Sequence, residues 1–185
     1  SITMNSLRHP LPLPAGHQRL RLLLVDDHPL FLDGLRVVLE NACENVEVTS
    51  VGCMERAMAA LEATEDFDLI TLDWSLPDGK GVALLRYIQG RRLFIPVLVV
   101  SATENPMDLR LAMNCGASGF VSKSLGRAAL LQAIAQVLQG EVPIDAGLAG
   151  SLDAESNPAS PGLTARQKEV LGLLGRGWSN KRICA

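Results

Sequence analysis

At 185 residues, with 48% hydrophobic and 20% charged side chains, the chain is long enough for one domain with a full core plus a fragment. The net charge of −3 is unevenly spread: residues 163 to 185 hold Arg166, Lys168, Arg176, Lys181 and Arg182 against Glu169 alone, a balance of +4, which leaves −7 for residues 1 to 162. The longest apolar runs, LLLV at 22 to 25 and VLVV at 97 to 100, fall far short of the roughly 18 residues of a membrane helix, and no signal-peptide pattern opens the chain, so a soluble, cytoplasmic protein with no membrane partner is expected.

Cys43, Cys53, Cys115 and Cys184 are scattered, without C-x-x-C spacing or a histidine cluster, which supports neither a zinc site nor a disulfide framework. They read as small buried hydrophobes, and Met54, Met58, Met107 and Met113 as helix packing. The basic terminal segment suits a polyanion partner, although a solvated basic face has the same composition.

Residues 1 to 19 carry Pro10, Pro12, Pro14 and Gly16 without a sustained period and read as a mobile arm, with Met4 a candidate natural start. From Leu20 onward, apolar runs alternate with segments of helical period. Strands are expected at 20 to 25, 46 to 50, 68 to 72, 96 to 100 and 118 to 121. Pro29 is a good first-turn residue for a helix whose Leu30, Phe31, Leu35, Val38, Leu39 and Ala42 step by three and four. Asn105 and Pro106 open a helix that Gly116 closes. Ser124 opens another, with Leu130, Leu131, Ile134, Val137 and Leu138 on one face and Gly140 at its end. This strict alternation implies a five-stranded parallel sheet with helices on both faces, a doubly wound α/β fold.

In such a fold the ligand site lies at the carboxyl ends of the strands. Asp26 and Asp27 follow the first strand, Asp73 the third, Ser101 the fourth and Lys123 the fifth, so all five polar groups converge on one edge. Two carboxylates about 4 Å apart repel by roughly 4 kcal/mol at an effective dielectric of about 20. Three of them therefore need a hard divalent cation, and Mg²⁺ fits best because it takes oxygen ligands and commonly joins carboxylates to a phosphate oxygen. With a metal present one carboxylate can attack phosphorus, while Lys123 and the Ser101 hydroxyl hold the transferred oxygens. The loop DWSLPDGKG, turned by Pro77 and relaxed by Gly79 and Gly81, keeps Asp73 at the mouth. His9, His17 and His28 lack a metal-ligand pattern and read as surface or capping residues.

The segments LLVDDHPLFLDGL, LDWSLPDGKG, VVSAT and GASGFVSKS, in this order and spacing, resemble the receiver domain of two-component response regulators. The DDHPLF opening resembles the NarL/FixJ branch, whose output is a LuxR-type helix-turn-helix. The resemblance covers about 20 to 140 for a flavodoxin-like receiver and 163 to 185 for the start of the output domain. It implies that Asp73 accepts a phosphoryl group from a histidine kinase, that Asp26, Asp27, Asp73 and the backbone carbonyl of Ser75 hold Mg²⁺, and that Lys123 pairs with the phosphate. Ser101 then bonds a phosphate oxygen and, in moving, frees space for Phe120 to turn inward, with the small Ala102 leaving room for the incoming group. Ser101 stands where the family often has threonine, Phe120 where it often has tyrosine, and Ser124 where many members have proline. Plain core packing remains an equal reading of Phe120.

Residues 141 to 162 gather Gly, Pro, Ser, Ala and acids without a period and read as a linker. In LTARQKEVLGLLGRGWSN, Thr164 and Gln167 form a capping box, Leu163 is placed as a staple, and Val170, Leu171, Leu173 and Leu174 make an apolar face. This resembles the first helix of the output domain and the start of its second. The groove-reading third helix falls beyond Ala185, so this chain is expected not to bind an operator specifically, DNA being a partner of the complete protein only. A homodimer stays open as a further partner.

The expected activity is a conformational switch with at most self-phosphorylation and slow self-dephosphorylation. A haloacid-dehalogenase-like phosphatase also uses an aspartyl phosphate and Mg²⁺, but its nucleophile sits in a D-x-D pattern after the first strand. A receiver-like docking module that is never phosphorylated is the third reading, and the intact set of Asp26, Asp27, Asp73, Ser101 and Lys123 argues against it.

Overall fold

Strands that are apolar at nearly every position need cover on both faces, and the sheet of this protein has it. The computed structural model describes residues 11–13, 16–145 and 147. Its elements run β1 (Leu20–Val25), α1 (Pro29–Ala42), β2 (Val46–Val51), α2 (Met54–Ala63), β3 (Leu69–Asp73), a short hairpin β4 (Ser75–Leu76) and β5 (Gly79–Lys80), α3 (Val82–Gly90), β6 (Val97–Ser101), α4 (Pro106–Asn114), β7 (Gly119–Ser122), a single 3₁₀ turn (Lys123–Leu125) and α5 (Gly126–Leu138). Five strands form one parallel sheet in the order β2-β1-β3-β6-β7. The expected doubly wound fold is the observed one.

The two faces have separate cores, and β1 shows how one strand serves both. Leu23 and Val25 point to the side of α2, α3 and α4, packing with Ala57, Leu61, Leu84, Ile88 and Leu109. Leu20, Leu22 and Leu24 point to the side of α1 and α5, packing with Leu35, Leu39, Leu130, Ile134 and Val137. Burying one such leucine contributes roughly 1.5 to 3 kcal/mol. The winding reverses between β1 and β3, which are hydrogen-bonded neighbours with Val25 opposite Leu72. Their carboxyl ends flank the crevice that such a reversal leaves open.

Several local expectations shift. Asp73 and Ser101 are the last residues of their strands rather than the first after them. The loop after β3 folds into the β4–β5 hairpin, with Gly79 at φ +138 and the Gly81 N–H donating to the Trp74 carbonyl. The helix expected to open at Ser124 begins at Gly126. Gly126 has φ +83, which breaks the 3₁₀ turn from α5, and the Ser122 hydroxyl accepts from the Ser124 N–H to cap that turn. Asn105 caps α4 as expected by accepting from the Met107 N–H, but the Met107 side chain is exposed. Of the cysteines, Cys43 is buried and Cys53 and Cys115 are half-buried. Among the described residues no helix is long and apolar enough to cross a membrane.

Both ends of the domain extend beyond the expected limits. Leu11, in the stretch expected as a mobile arm, is buried in the α1/α5 core. The stretch expected as linker from 141 begins as part of the sheet: the Phe120 N–H donates to the Pro143 carbonyl, the Asp145 N–H donates to the Phe120 carbonyl, and Ile144 packs on the core. This covers the open edge of β7. Most of residues 1–19, nearly all of 146–162 and the output-like segment 163–185 lie outside the described residues.

Gly119 is where this edge cover is tightest. A Cβ there would sit 2.8 Å from the Pro143 carbonyl oxygen and 2.9 Å from Leu98 Cδ1. Gly119→Ala should therefore cost about 1 to 3 kcal/mol in chemical denaturation, as overpacking does. An unchanged midpoint would mean that residues 143–145 do not sit against β7 in solution.

Candidate functional site

The site is built from strand ends. Asp26 follows β1, Asp73 ends β3, and the register that sets Val25 beside Leu72 brings the two carboxylates to the same level across the crevice. Both side chains are only 3% exposed, whereas Asp27 is 36% exposed and stands at the mouth. Lys123, directly after β7, reaches back so that its Nζ lies 2.6 Å from Asp26 Oδ2 and 3.2 Å from Asp73 Oδ2. The contact to Asp73 is a hydrogen bond. Asp26 Oδ2 accepts no hydrogen bond of good geometry and meets the ammonium as a close ion pair. The Lys123 ammonium also lies 4.7 Å from the centre of the Phe31 ring, a cation–π contact that helps hold it inside.

Burial raises the pKa of Asp73 above its ordinary value, and the nearby Asp26 charge adds to the rise; the Ser75 N–H, donating to Asp73 Oδ1 at 3.2 Å, and the Lys123 ammonium work against it. The cluster also carries more negative than positive charge. Three carboxylates and one ammonium amount to a formal −2 when ionised, their donors are hard oxygens, and one side is open at Asp27. Such a site can hold a small divalent cation that keeps part of its water shell.

Ser101 and Phe120 stand on the next two strands, β6 and β7. Ser101 is buried at the end of β6, opposite Ser122, and its hydroxyl is engaged by its own loop, donating to the Thr103 carbonyl at 3.0 Å and accepting from the Thr103 N–H at 3.1 Å. Phe120 is fully buried, its ring 6.2 Å from that of Trp74 and edge-on to it, so the inward position that the resemblance assigns to a later state is already occupied. A phenyl ring makes that position inexpensive, since it has no hydroxyl to strand away from water. Ser75 opens β4 next to Asp73.

Two site residues escaped the sequence reading. His28 is the N-cap residue of α1, in line with a capping role, but its ring makes no cap hydrogen bond. The ring turns into the cluster instead, with Nδ1 2.8 Å from Asp26 Oδ1 and 3.2 Å from Asp27 Oδ1. One potential ligand atom from each of Asp26, Asp27, His28 and Asp73 lies within 4.8 Å of the others. The adjacency of His28 to the aspartate pair was the only signal. Asp78, in the hairpin turn, accepts from the Met54 and Glu55 N–H groups at 3.0 and 3.1 Å. It thereby caps α2 from 24 residues away, and those bonds lower its pKa.

The chain matches the response regulator receiver domain family over residues 22–135. It is 30% identical to the glycerol metabolism activator of Pseudomonas putida over 174 residues, covering 88% of this chain and 79% of that protein. It is likewise 30% identical to the nitrate/nitrite response regulator protein NarL of Escherichia coli K12 over 171 residues, covering 88% and 78%. Among solved structures, a LuxR-family two-component response regulator from Aurantimonas superposes with a TM-score of 0.67 at 27% identity, over 74% of this chain and 97% of that one. A LuxR-family DNA-binding response regulator from Silicibacter pomeroyi superposes with a TM-score of 0.61 at 29% identity, over 69% and 98%. The chain belongs to the response regulator family, with a receiver domain of the NarL/LuxR type. The phosphatase alternative falls away with that match.

Two carboxylates give opposite pH signatures. Asp73 keeps its proton to higher pH in the folded than in the unfolded chain, so stability falls as pH rises through its raised pKa. Without divalent cations, Asp73→Asn should melt a few degrees above wild type at pH 7, and the gap should close below the ordinary value of 3.8. Asp78, with its lowered pKa, contributes stability at neutral pH that is lost as pH falls through that lowered value. Asp78→Ala should melt roughly 2 to 5 °C below wild type at pH 7, the loss of a helix cap, and converge with it in acid. Thermal melts across pH check both signs.

Proposed function

We propose that the protein is a phosphorylation-driven switch in which Asp73 is the phosphoacceptor. The observation that carries this reading is the single ammonium of Lys123 set between Asp26 and Asp73 at a strand-end crevice with one open side. A carboxylate oxygen of Asp73 attacks the phosphorus of a kinase phosphohistidine, the P–O bond forms as the P–N bond breaks, and the leaving imidazole nitrogen takes up a proton. Asp26, Asp27, Asp73 and the Ser75 carbonyl form the oxygen set for Mg²⁺, a fit supported by the residual negative charge and the hard donors of the cluster. When bound, Mg²⁺ neutralises charge on the transferring phosphoryl oxygens. Lys123 would move its Asp73 hydrogen bond to a phosphoryl oxygen, keeping its contact to Asp26.

Ser101 is the reporting group. Its hydroxyl exchanges the Thr103 carbonyl for a phosphoryl oxygen, drawing in the loop after β6. Phe120, already inward against Trp74, is then locked rather than flipped. A bias of about 1 to 3 kcal/mol between two conformers changes an output affinity some 5- to 150-fold.

In this reading the receiver spans 20–140 together with the flanking Leu11 and Pro143–Asp145 that pack on it, the residues from there to 162 connect it, and 163–185 begin a LuxR-type helix-turn-helix through which the complete regulator binds DNA. The alignments to the relatives support it, since they span 88% of the chain, more than the receiver match alone. The histidine kinase is the phosphoryl donor.

Incubation with acetyl phosphate and Mg²⁺, followed by intact mass and peptide mapping, should show one phosphoryl group on Asp73. The label should be absent in Asp73→Asn, and its formation should fall at least about tenfold in Lys123→Ala. Labelling of another residue, or none, would overturn the assignment.

A further inference from the structure

His28 is the one polar side chain of the cluster that phosphoryl transfer does not use. Its backbone does helical work: it stands in extended geometry at the N-cap of α1, and its N–H donates to Asp26 Oδ1 at 2.8 Å. Its side chain has no such duty. The ring nitrogen Nδ1 instead stands 2.8 Å from Asp26 Oδ1, 3.2 Å from Asp27 Oδ1, 3.7 Å from Asp73 Oδ2 and 3.1 Å from Lys123 Nζ. One nitrogen therefore lies within hydrogen-bonding or near-contact distance of all three carboxylates.

A divalent ion held by these carboxylate oxygens, at about 2.0 to 2.6 Å from each, would have to enter the space that the ring now fills. Ring and ion cannot share the position. The Lys123 ammonium and the His28 ring differ in their freedom to leave the cluster. Lys123 is 13% exposed and packed on Phe31, while the His28 side chain is 61% exposed, so turning it outward disturbs no core contact.

We propose that His28 is a place-holder for the divalent cation. Its ring occupies the carboxylate cluster when no ion is present, and it must swing into solvent to admit the ion, which lowers the affinity of the site for that ion. The inference rests on the reading that this cluster takes Mg²⁺. It deepens that reading by naming the residue that sets how much ion is needed. The opposite behaviour would be retention of the ring as a ligand, and an imidazole nitrogen suits Mn²⁺ better than Mg²⁺.

The test is isothermal titration of Mg²⁺, and separately of Mn²⁺, into the full chain and into His28→Ala at one pH. A second variant, His28→Asn, removes the ring while keeping a residue type favoured at an N-cap. Both variants should bind both ions roughly tenfold more tightly than wild type, the size of effect expected for relieving a hydrogen bond to a charged group. In wild type the His28 ring signals in ¹H–¹⁵N spectra should shift as Mg²⁺ is added. Equal or weaker binding by the variants overturns the inference, and a selective loss of Mn²⁺ affinity would identify the ring as a ligand. If neither wild type nor variants bind either ion, the reading of the cluster as a cation site fails instead.

Discussion

The ion contacts of Lys123 with Asp26 and Asp73 are the interaction on which the rest of the site depends. A parallel sheet whose winding reverses between β1 and β3 leaves a crevice at their carboxyl ends, and this chain places two buried carboxylates there. One ammonium offsets part of their repulsion, at the cost of being drawn under the surface and against the Phe31 ring. The balance is incomplete, with one ammonium among three carboxylates. Burial, with the Asp26 charge adding to it, raises the pKa of Asp73 by more than the Ser75 N–H and Lys123 offset.

Phe120 joins the neighbourhood of Asp73 to the covered edge of the sheet. Its ring meets Trp74, the residue after Asp73, while its backbone N–H and carbonyl hold Pro143 and Asp145. Ser101 and Ser122 face each other across β6 and β7, one step beyond the Val100–Val121 pair. Phe120 thus lies between Trp74, the chain neighbour of Asp73, and the Pro143–Asp145 segment along the edge of the sheet. Gly119 fits this geometry because any Cβ there would push Pro143 away.

Strands β1, β3 and β6 were legible because doubly buried parallel strands read as nearly unbroken apolar runs, and the direction of the site followed because Asp26, Asp73, Ser101 and Lys123 all come at strand ends. The meeting of Asp26, Asp73 and Lys123 at one edge was legible for the same reason. What the sequence hid were features set by side-chain direction or by distant partners. His28 could have capped α1 with its ring; the pull of two aspartates decided otherwise. Asp78 lies in a turn whose residues explain themselves locally, and its two helix-capping bonds join segments 23 and 24 residues apart. The start of α5 moved because Gly126 adopts a positive φ, which no periodicity reveals. Ile144 and Leu11 sit in proline-rich stretches that read as linker and arm, and single apolar residues anchoring such stretches carry no pattern.

The proposed switch requires the carboxylate cluster to gather a divalent ion and Asp73 to capture the phosphoryl group. A crystal structure with Mn²⁺ and beryllofluoride, the latter standing in for the phosphoryl group, tests it most directly. Anomalous density for the ion should appear within coordination distance of Asp27 and Asp73, with beryllofluoride on the Asp73 carboxylate and the Lys123 ammonium against its fluorines. An ion bound elsewhere, or an Asp73 left bare while Lys123 keeps its present contacts, would contradict it.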